Sequence, residues 1–241
     1  MARRAPPDRI ARLIEVATEV FIRLGYRRTQ MSDVAEALGV AKGTLYLAVE
    51  SKEALFDLVV RHADAAHPPV PARLPVPTPA RGATLAWVEE RVGAVVIGPA
   101  LAAALRAAPP RDARRELRGI VRELYATMST QRVAIKLIDR CAADYPELAQ
   151  VWVRAGRTTQ LAALCRYLES RIAAGALAAV PDVPIAARII IETLTTWAVH
   201  RHWDRAPQPM AEAHVLVSVE MFLVEALRPR RRREAAKGGA R

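Results

Sequence analysis

Residues 29–55 read TQMSDVAEALGVAKGTLYLAVESKEAL, and this stretch decides the fold. Its first third carries apolar side chains at helical spacing, which predicts one short helix. These side chains are Met31, Val34, Ala35 and Leu38. Gly39 follows at once, at the position where a helix commonly ends in a left-handed conformation. A second short helix after this turn is typical of a helix-turn-helix, whose second helix enters the major groove of DNA.

The second helix and the start of a third follow Gly39. Val40 and Leu45 are predicted to anchor the second helix in the core. Ser51 is a good N-cap for the third helix, and Glu53 lies near the positive end of that helix's dipole. Three polar side chains of the second helix are predicted to face outward: Lys42, Thr44 and Tyr46.

Roughly residues 8–66 resemble the DNA-binding domain of TetR-type (tetracycline-repressor-like) transcriptional regulators. The resemblance is specific, because many positions match at fixed spacing across three helices. Ala41 departs from it, since the family usually has Ser or Thr there, and Ala48-Val49 replaces Tyr or His followed by Phe. The matching residues are Gly25-Tyr26, Thr29, Asp33-Val34-Ala35, Gly39-Val40, Lys42-Gly43-Thr44-Leu45-Tyr46 and Ser51-Lys52-Glu53-Ala54-Leu55.

The resemblance also implies which side chains contact double-stranded DNA. Lys42 would contact a base edge or a phosphate, and Gly43 would let the backbone approach closely. Leu47 would either touch a thymine methyl group or pack inward. Phosphate contacts position such a protein, whereas base contacts select the sequence. The implied DNA-binding residues are Thr29, Lys42, Gly43, Thr44, Tyr46, Leu47 and Lys52, of which Thr29, Tyr46 and Lys52 would bind phosphates.

The composition predicts an all-α protein of about nine or ten helices. Ala, Leu, Arg and Glu dominate, and 52% of the residues are hydrophobic, which favours helices around a sizeable core. An N-terminal three-helix helix-turn-helix domain would precede a larger helical ligand-binding and dimerisation domain. The predicted divisions are 1–66 (DNA-binding domain with its linking helix), 67–79 (Pro-rich linker), 80–228 (regulatory and dimerisation domain) and 229–241 (basic disordered tail).

Six prolines between residues 67 and 79 exclude a helix or a central strand there. We expect a semi-rigid linker or a long surface loop, and a proline-rich recognition peptide is the alternative. The longest charge-free apolar stretch, residues 92–105, is too short for a membrane span. No signal-peptide pattern precedes Ile10, so a cytoplasmic protein without membrane contact is expected. Cys141 and Cys165 are then expected to be reduced core residues.

The net charge of +11 is unevenly distributed. Residues 1–66 hold ten basic and nine acidic side chains, whereas residues 228–241 hold seven basic and one acidic. DNA binding is therefore argued from the placement of a few cations and not from bulk charge. Arg3 and Arg4 in the N-terminal arm, and Arg230 to Arg233 in the tail, are either additional DNA contacts or solvated charges.

The last two predicted helices, 185–203 and 210–227, are unusually apolar. Only Ser218, Glu220 and Glu225 are polar between residues 215 and 227. Such surplus apolar surface needs a second partner, and the same helix pair of another subunit is the simplest one. The resemblance implies the same homodimer. A fully buried core helix in a monomer is the alternative.

The resemblance implies an unidentified small-molecule effector bound in the regulatory domain, and release of DNA when it binds. The sequence therefore favours a ligand-responsive repressor that binds a palindromic operator as a dimer. The alternative is a helical dimeric scaffold without sequence-specific DNA binding. Candidate lining residues of the effector pocket are Trp87, Tyr125, Trp152 and Tyr167, for which an ordinary core position is the alternative.

Enzymatic motifs are not found in the sequence. It has no nucleophile elbow, no phosphate-binding glycine loop and no zinc motif, so an enzyme is not expected. His200 and Asp204 are spaced to share a helix face, but one pair does not make a metal site. No cofactor and no metal are expected.

Overall fold

The structure, a computed structural model, describes residues 7–69 and 71–229. The N-terminal arm with Arg3 and Arg4 and the tail with Arg230 to Arg233 lie outside the described residues. The described part forms α1 (Pro7–Leu24), α2 (Met31–Leu38), α3 (Lys42–Leu45), α4 (Lys52–His62), α5 (Ala83–Val95), α6 (Pro99–Arg106), α7 (Ala113–Thr130), α8 (Arg132–Ala142), α9 (Pro146–Val151), α10 (Thr159–Ala173), α11 (Val183–Ala198) and α12 (Glu212–Ala226).

The all-α fold class is confirmed, and the helices are more divided than the sequence predicts. The predicted helix over residues 112–143 is two helices, α7 and α8, which meet at Gln131. A π-helical turn, Trp152–Thr158, separates α9 from α10. The last residues of the predicted helix 185–203 form a 3₁₀ turn, His200–Trp203. The described residues thus contain twelve α-helical segments where about nine or ten were expected.

Helices α1 to α4 form what we call the head of the molecule. The glycines and the serine that were predicted to end or begin its helices do so. Gly25 (φ 87°) and Gly39 (φ 69°) end α1 and α2 in the left-handed region. The Ser51 hydroxyl caps α4 by accepting a hydrogen bond from the Ala54 amide at 3.1 Å. One predicted anchor is wrong, because Val40 is 39% exposed, whereas the other, Leu45, is buried in the core.

Two hydrophobic cores organise the molecule, and the first of them is shared by the head and the regulatory helices. Around α1 to α4 it also includes Val88 of α5, Leu137 and Cys141 of α8, and Leu148 of α9. The second core joins α6, α7, α10, α11 and α12. The boundary predicted between residues 66 and 80 is therefore not a boundary between cores, and α8 and α9 pack directly against the head.

Both cysteines are free. Cys141 is buried against α1, with its sulfur 4.0 Å from the Phe21 carbonyl oxygen, and Cys165 is half-buried. Burial raises the pKa of the Cys141 thiol to about 12, so this thiol remains protonated at neutral pH. Between residues 7 and 229, no helix that the structure describes combines the length and apolarity needed to cross a bilayer.

The turn after α1 is held by residues at the end of α8 and just beyond it. The Arg27 amide donates a hydrogen bond to Asp144 Oδ1 at 3.1 Å, and an Arg140 guanidinium nitrogen donates to the Leu24 carbonyl at 2.9 Å. A Cβ atom on Gly25 would lie 2.3 Å from Asp144 Oδ2. Glycine is required at this position by both its positive φ and the close approach of the Asp144 side chain.

Gly25→Ala is expected to lower the free energy of unfolding by about 2–3 kcal/mol, since it adds a left-handed alanine and displaces the Asp144 carboxylate. The matched control is Gly39→Ala, where the φ is also positive but no atom lies within 4 Å of the added Cβ. That variant is expected to lose only about 1 kcal/mol in urea unfolding. Equal losses in the two variants would contradict the close approach at Gly25.

Candidate nucleic-acid interface and ligand cavity

The helix α3 and the turn after it present an exposed surface, which we call the reading surface: Lys42, Gly43, Thr44, Tyr46 and Leu47. Its orientation comes from two buried side chains, Leu45 and Val49, which point into the core of the head. Ala41 precedes α3 in an extended conformation and makes no side-chain cap. Leu47 is 72% exposed, so of its two predicted roles the outward one fits the structure.

Thr29 does not lie on this surface. Its side chain is 1% exposed, and its hydroxyl donates a hydrogen bond to the Gly25 carbonyl at 2.6 Å. The prediction that this hydroxyl binds a phosphate does not agree with the structure. The hydroxyl instead closes the turn between α1 and α2, because a threonine side chain can bond to a carbonyl four residues earlier.

Lys52 is half-buried at the start of α4. Its ammonium nitrogen lies 4.5 Å from the centre of the Tyr26 ring and donates to the Arg27 carbonyl at 3.3 Å. Burial lowers the pKa of Lys52 despite the raising effect of Glu53. The Tyr26 ring in turn stacks on Tyr145, with 4.6 Å between centroids. Lys52 therefore holds the turn between α1 and α2, and Tyr26 carries the contact on to Tyr145, between α8 and α9.

Gly43 has no structural reason to be glycine within the described part of this chain. A Cβ atom added there would have nothing within 4 Å, and its φ lies outside the positive range. Close approach of another molecule's backbone is one of the remaining physical reasons for a glycine at an exposed helix position. Gly25 differs in this respect, because the Asp144 side chain of this chain occupies the space that a Cβ atom there would need.

A cavity of about 680 Å³ lies among the regulatory helices. Its walls come from the end of α4, from α5, α7 and α8, from the π-helical turn, and from α10 and α11. Trp87 and Trp152 line it as predicted. The volume and the largely apolar walls suit a small organic molecule.

Tyr125 and Tyr167, the other two predicted pocket residues, lie in the hydrophobic core and not on the cavity wall. The Tyr125 hydroxyl donates to Glu212 at 2.6 Å, and burial raises its pKa to about 12. Tyr167 is fully buried, and the Arg171 guanidinium lies 5.2 Å from the centre of the Tyr167 ring. Both tyrosines therefore occupy structural positions, and neither lies on the cavity wall, where ligand contact was predicted.

Sequence reasoning missed the polar groups of the cavity. The π-helical turn places Gly156 and Arg157 on the wall, and such turns are frequent at functional sites. Gln160 is buried there, with its side-chain amide donating to the Val96 carbonyl at 2.9 Å. Burial lowers the pKa of His200, and nearby Lys136 lowers it further. No short-range signal predicts a π-helical turn, which is why these residues were not anticipated.

The cavity and the head are joined by α4. Its last residues, Val60 and Arg61, line the cavity, and Lys52 at its other end packs beside the head turn. Eleven residues of α-helix span about 16 Å. Asp64, just after α4, also lines the cavity and accepts hydrogen bonds from the Val133 and Ala134 amides at the start of α8.

Helices α11 and α12 carry an exposed apolar face. On each helix two of its members lie one helical turn apart, and on α12 a third member directly follows the second. They are Ile185, Ile189, Val217, Met221 and Phe222, each more than half exposed.

His200 does not continue α11, which ends at Ala198, so the helical spacing that suggested a shared face with Asp204 is absent.

Profiles of two protein families match the chain. The profile described as "Bacterial regulatory proteins, tetR family" matches residues 13–59, which contain α2, α3 and most of α1 and α4. The profile described as "AefR-like transcriptional repressor, C-terminal domain" matches residues 115–225, from α7 into α12. Residues 60–114 lie between the two matches.

One curated relative resembles a short part of the chain. An uncharacterized helix-turn-helix transcriptional regulator of Bacillus subtilis (strain 168), YhgD, is 44% identical over 50 residues, which are 21% of this chain and 26% of that protein. The chain thus matches only about a quarter of that relative's length.

Two solved structures share the fold over nearly the whole chain. The ketosteroid transcriptional regulator KstR2 of Mycobacterium tuberculosis is 18% identical, with a TM-score of 0.55 over 95% of this chain and 100% of that one. The regulator PfmR from Thermus thermophilus is 20% identical, with a TM-score of 0.51 over 89% and 97%. With both ends of the chain matched by profiles of this family, the protein belongs to the tetR family of bacterial regulatory proteins.

Proposed function

We propose that the protein is a ligand-responsive transcriptional repressor that binds a palindromic DNA operator as a homodimer. The observation that carries this proposal is the reading surface. A glycine and four protruding side chains lie there on a short helix and the turn after it, which buried Leu45 and Val49 hold in place. Lys42 and Thr44 supply hydrogen-bond donors, and Leu47 supplies an apolar contact for a thymine methyl group. Tyr46 and Lys52 are proposed to contact phosphates.

A homodimer would present two reading surfaces to the two halves of a palindrome. We assign the dimer contact to the apolar face of α11 and α12, because five large side chains there have no cover within the described residues. A two-fold axis would place this face against its own copy, which is the commonest arrangement of soluble dimers. The complex would act on the chromosome in the cytoplasm.

The cavity is the proposed effector site. Because α4 supplies part of its wall through Val60 and Arg61, a ligand that moves this wall also moves the head. Within a dimer, such a movement changes the separation of the two reading surfaces. Ligand and operator then favour different conformations, so each weakens the binding of the other. The cavity's walls define a class of effector, a largely apolar small molecule, and not one compound.

Lys42→Ala and Tyr46→Ala are each expected to weaken operator binding about ten- to hundredfold, since each dimer loses two contacts of roughly 1 kcal/mol. Fluorescence anisotropy with duplexes from the DNA upstream of the protein's own gene measures the change. The control Arg205→Ala removes an exposed cation of the α11–α12 connection and is expected to have little effect.

One further comparison, deletion of the tail, separates the repressor from a scaffold that binds DNA non-specifically. A variant lacking residues 229–241 loses the whole basic tail, and the repressor proposal expects it to keep its preference for the specific duplex. The wild-type affinity is expected to fall steeply as salt rises, because several phosphates are contacted. DNA binding that disappears with the tail, yet survives Lys42→Ala, would favour the scaffold.

A further inference from the structure

Residues 71–79, which we call the strap, follow α4 and run back along the head. Val76 lies beside Val49 in an isolated parallel bridge. The Val76 amide donates to the Ala48 carbonyl at 2.8 Å, and the Val76 carbonyl accepts from the Glu50 amide at 3.0 Å. The proline-rich segment is thus not a free linker, because its backbone is hydrogen-bonded to the turn that follows the reading helix α3.

A second set of contacts lies at Thr78. Its amide donates to a Glu50 carboxylate oxygen at 2.9 Å, and its hydroxyl donates to the Ser51 hydroxyl oxygen at 2.9 Å. Ser51 is also the N-cap of α4. The strap therefore contacts the chain between α3 and α4, where the reading surface meets the helix that leads to the cavity.

The other end of the strap is close to the cavity wall. Only three residues, 80–82, separate it from α5, and such a length spans at most about 11 Å. The Thr84 hydroxyl at the start of α5 donates to Asp57 of α4 at 2.8 Å, and Asp57 also pairs with Arg61 at 2.7 Å. The Arg61 guanidinium lies over Trp87, 5.0 Å from the centre of a ring on the cavity wall.

We propose that the strap positions the reading helix and forms a second connection, beside α4, between the cavity wall and the reading surface. This inference rests on the function proposed above. The helix α3 has four residues and no side-chain cap at Ala41, so it depends on neighbours for its orientation. The strap supplies two backbone hydrogen bonds to its following turn. Displacement of α5 by a ligand would reach this turn through the short segment 80–82.

The connection lies in the part of the chain between the two family matches, residues 60–114. That part contains the strap, α5 and α6, and α5 contributes Trp87, Val88, Arg91 and Val92 to the cavity. One continuous segment therefore builds a wall of the cavity and a support of the reading surface. Because this segment contacts both the cavity and the turn after α3, movement of the cavity wall is transmitted to the reading surface through packed and hydrogen-bonded residues.

Thr78→Val, Thr84→Val and the double variant test the connection in the full-length protein. Hydrogen exchange of the amides of residues 45–51 is measured without DNA. Thr78→Val is expected to accelerate this exchange about two- to tenfold, the effect of one lost hydrogen bond. Thr84→Val is expected to accelerate it less, and the double variant no more than Thr78→Val alone, because both act through one path. Thr159→Val, which loses a hydroxyl bond to the Arg154 carbonyl, is the control without effect at 45–51.

Affinity for the duplex that the wild-type protein selects from a randomised pool is the second measurement. Thr78→Val is expected to weaken it by a factor similar to the change in exchange, while affinity for a scrambled duplex stays constant. Unchanged exchange at residues 45–51 in Thr78→Val, or effects of Thr78→Val and Thr84→Val that multiply, would overturn the proposal. If the wild-type protein selects no duplex, the repressor proposal fails, and the exchange measurement still decides the role of the strap.

Discussion

Phe222→Glu is expected to leave the protein monomeric at micromolar concentration and to weaken operator binding by more than about a hundredfold, because the two half-sites are then bound independently. Phe222 is 71% exposed and lies within the apolar sequence of α12. In the proposed dimer its ring is buried against the partner copy. A glutamate at this position would bring an unpaired carboxylate into an apolar contact, which costs several kcal/mol.

Leu47→Glu is the matched control, since Leu47 is 72% exposed and the introduced side chain is the same. Leu47 lies on the reading surface, so this variant is expected to stay dimeric and to lose operator binding through repulsion of the DNA backbone and loss of its own apolar base contact. Sedimentation velocity gives the oligomeric state, and anisotropy gives the affinity. Circular dichroism is expected to show the same helix content in both variants, because both side chains are at the surface.

Three results would contradict parts of this proposal. A dimeric Phe222→Glu protein would place the subunit contact elsewhere than on α11 and α12. A wild-type protein that is monomeric at the same concentration would remove the palindromic part of the proposed function. Loss of the dimer in Leu47→Glu would instead show that the head itself takes part in the subunit contact.

The features that the sequence predicted correctly are local ones. Gly25 and Gly39 end helices because glycine adopts a positive φ, and Ser51 begins a helix because its hydroxyl caps it. Each of these roles can be predicted from the neighbouring sequence. The outward side chains of α3 follow from helical spacing once Leu45 is fixed inside. Sequence reasoning is reliable where the energetic cause lies within one or two helical turns.

Two predicted site residues that the structure places elsewhere have roles that depend on distant partners. Thr29 was expected at a phosphate, but its hydroxyl is buried in a turn that Asp144, more than a hundred residues away, helps to hold. Tyr125 was expected in the pocket, but its hydroxyl is bonded to Glu212 of α12 instead. Neither Asp144 nor Glu212 differs in local sequence from an ordinary surface carboxylate, so no local signal marks these contacts.

The strap shows the same limit in the backbone. Proline density correctly excluded a helix or central strand from the described residues between 67 and 79, but it does not show what the extended chain contacts. The amide of Val76, which lies between Pro75 and Pro77, donates a hydrogen bond to the Ala48 carbonyl. That pairing depends on the position of the turn after α3, which only the folded head defines.

Arg171→Met is expected to lower the free energy of unfolding by about 3–5 kcal/mol, the usual loss when one partner of a buried ion pair is removed. Arg171 is 1% exposed on α10. Its guanidinium pairs with both carboxylate oxygens of Glu116 on α7, at 2.8 and 3.0 Å, and donates to the Ala104 carbonyl on α6 at 2.7 Å. One side chain thus connects three helices of the second core.

Methionine fills much of the same volume, so the expected loss comes from the unpaired Glu116 carboxylate and the unpaired Ala104 carbonyl and not from a cavity. The double variant Arg171→Met/Glu116→Leu tests this cause in urea unfolding. If the unpaired charge dominates, adding Glu116→Leu recovers most of the loss, because an apolar pair can replace a buried ion pair at little cost. If the double variant is no more stable than Arg171→Met, the bond to Ala104 is the larger contribution, and the arginine acts chiefly by closing the end of α6.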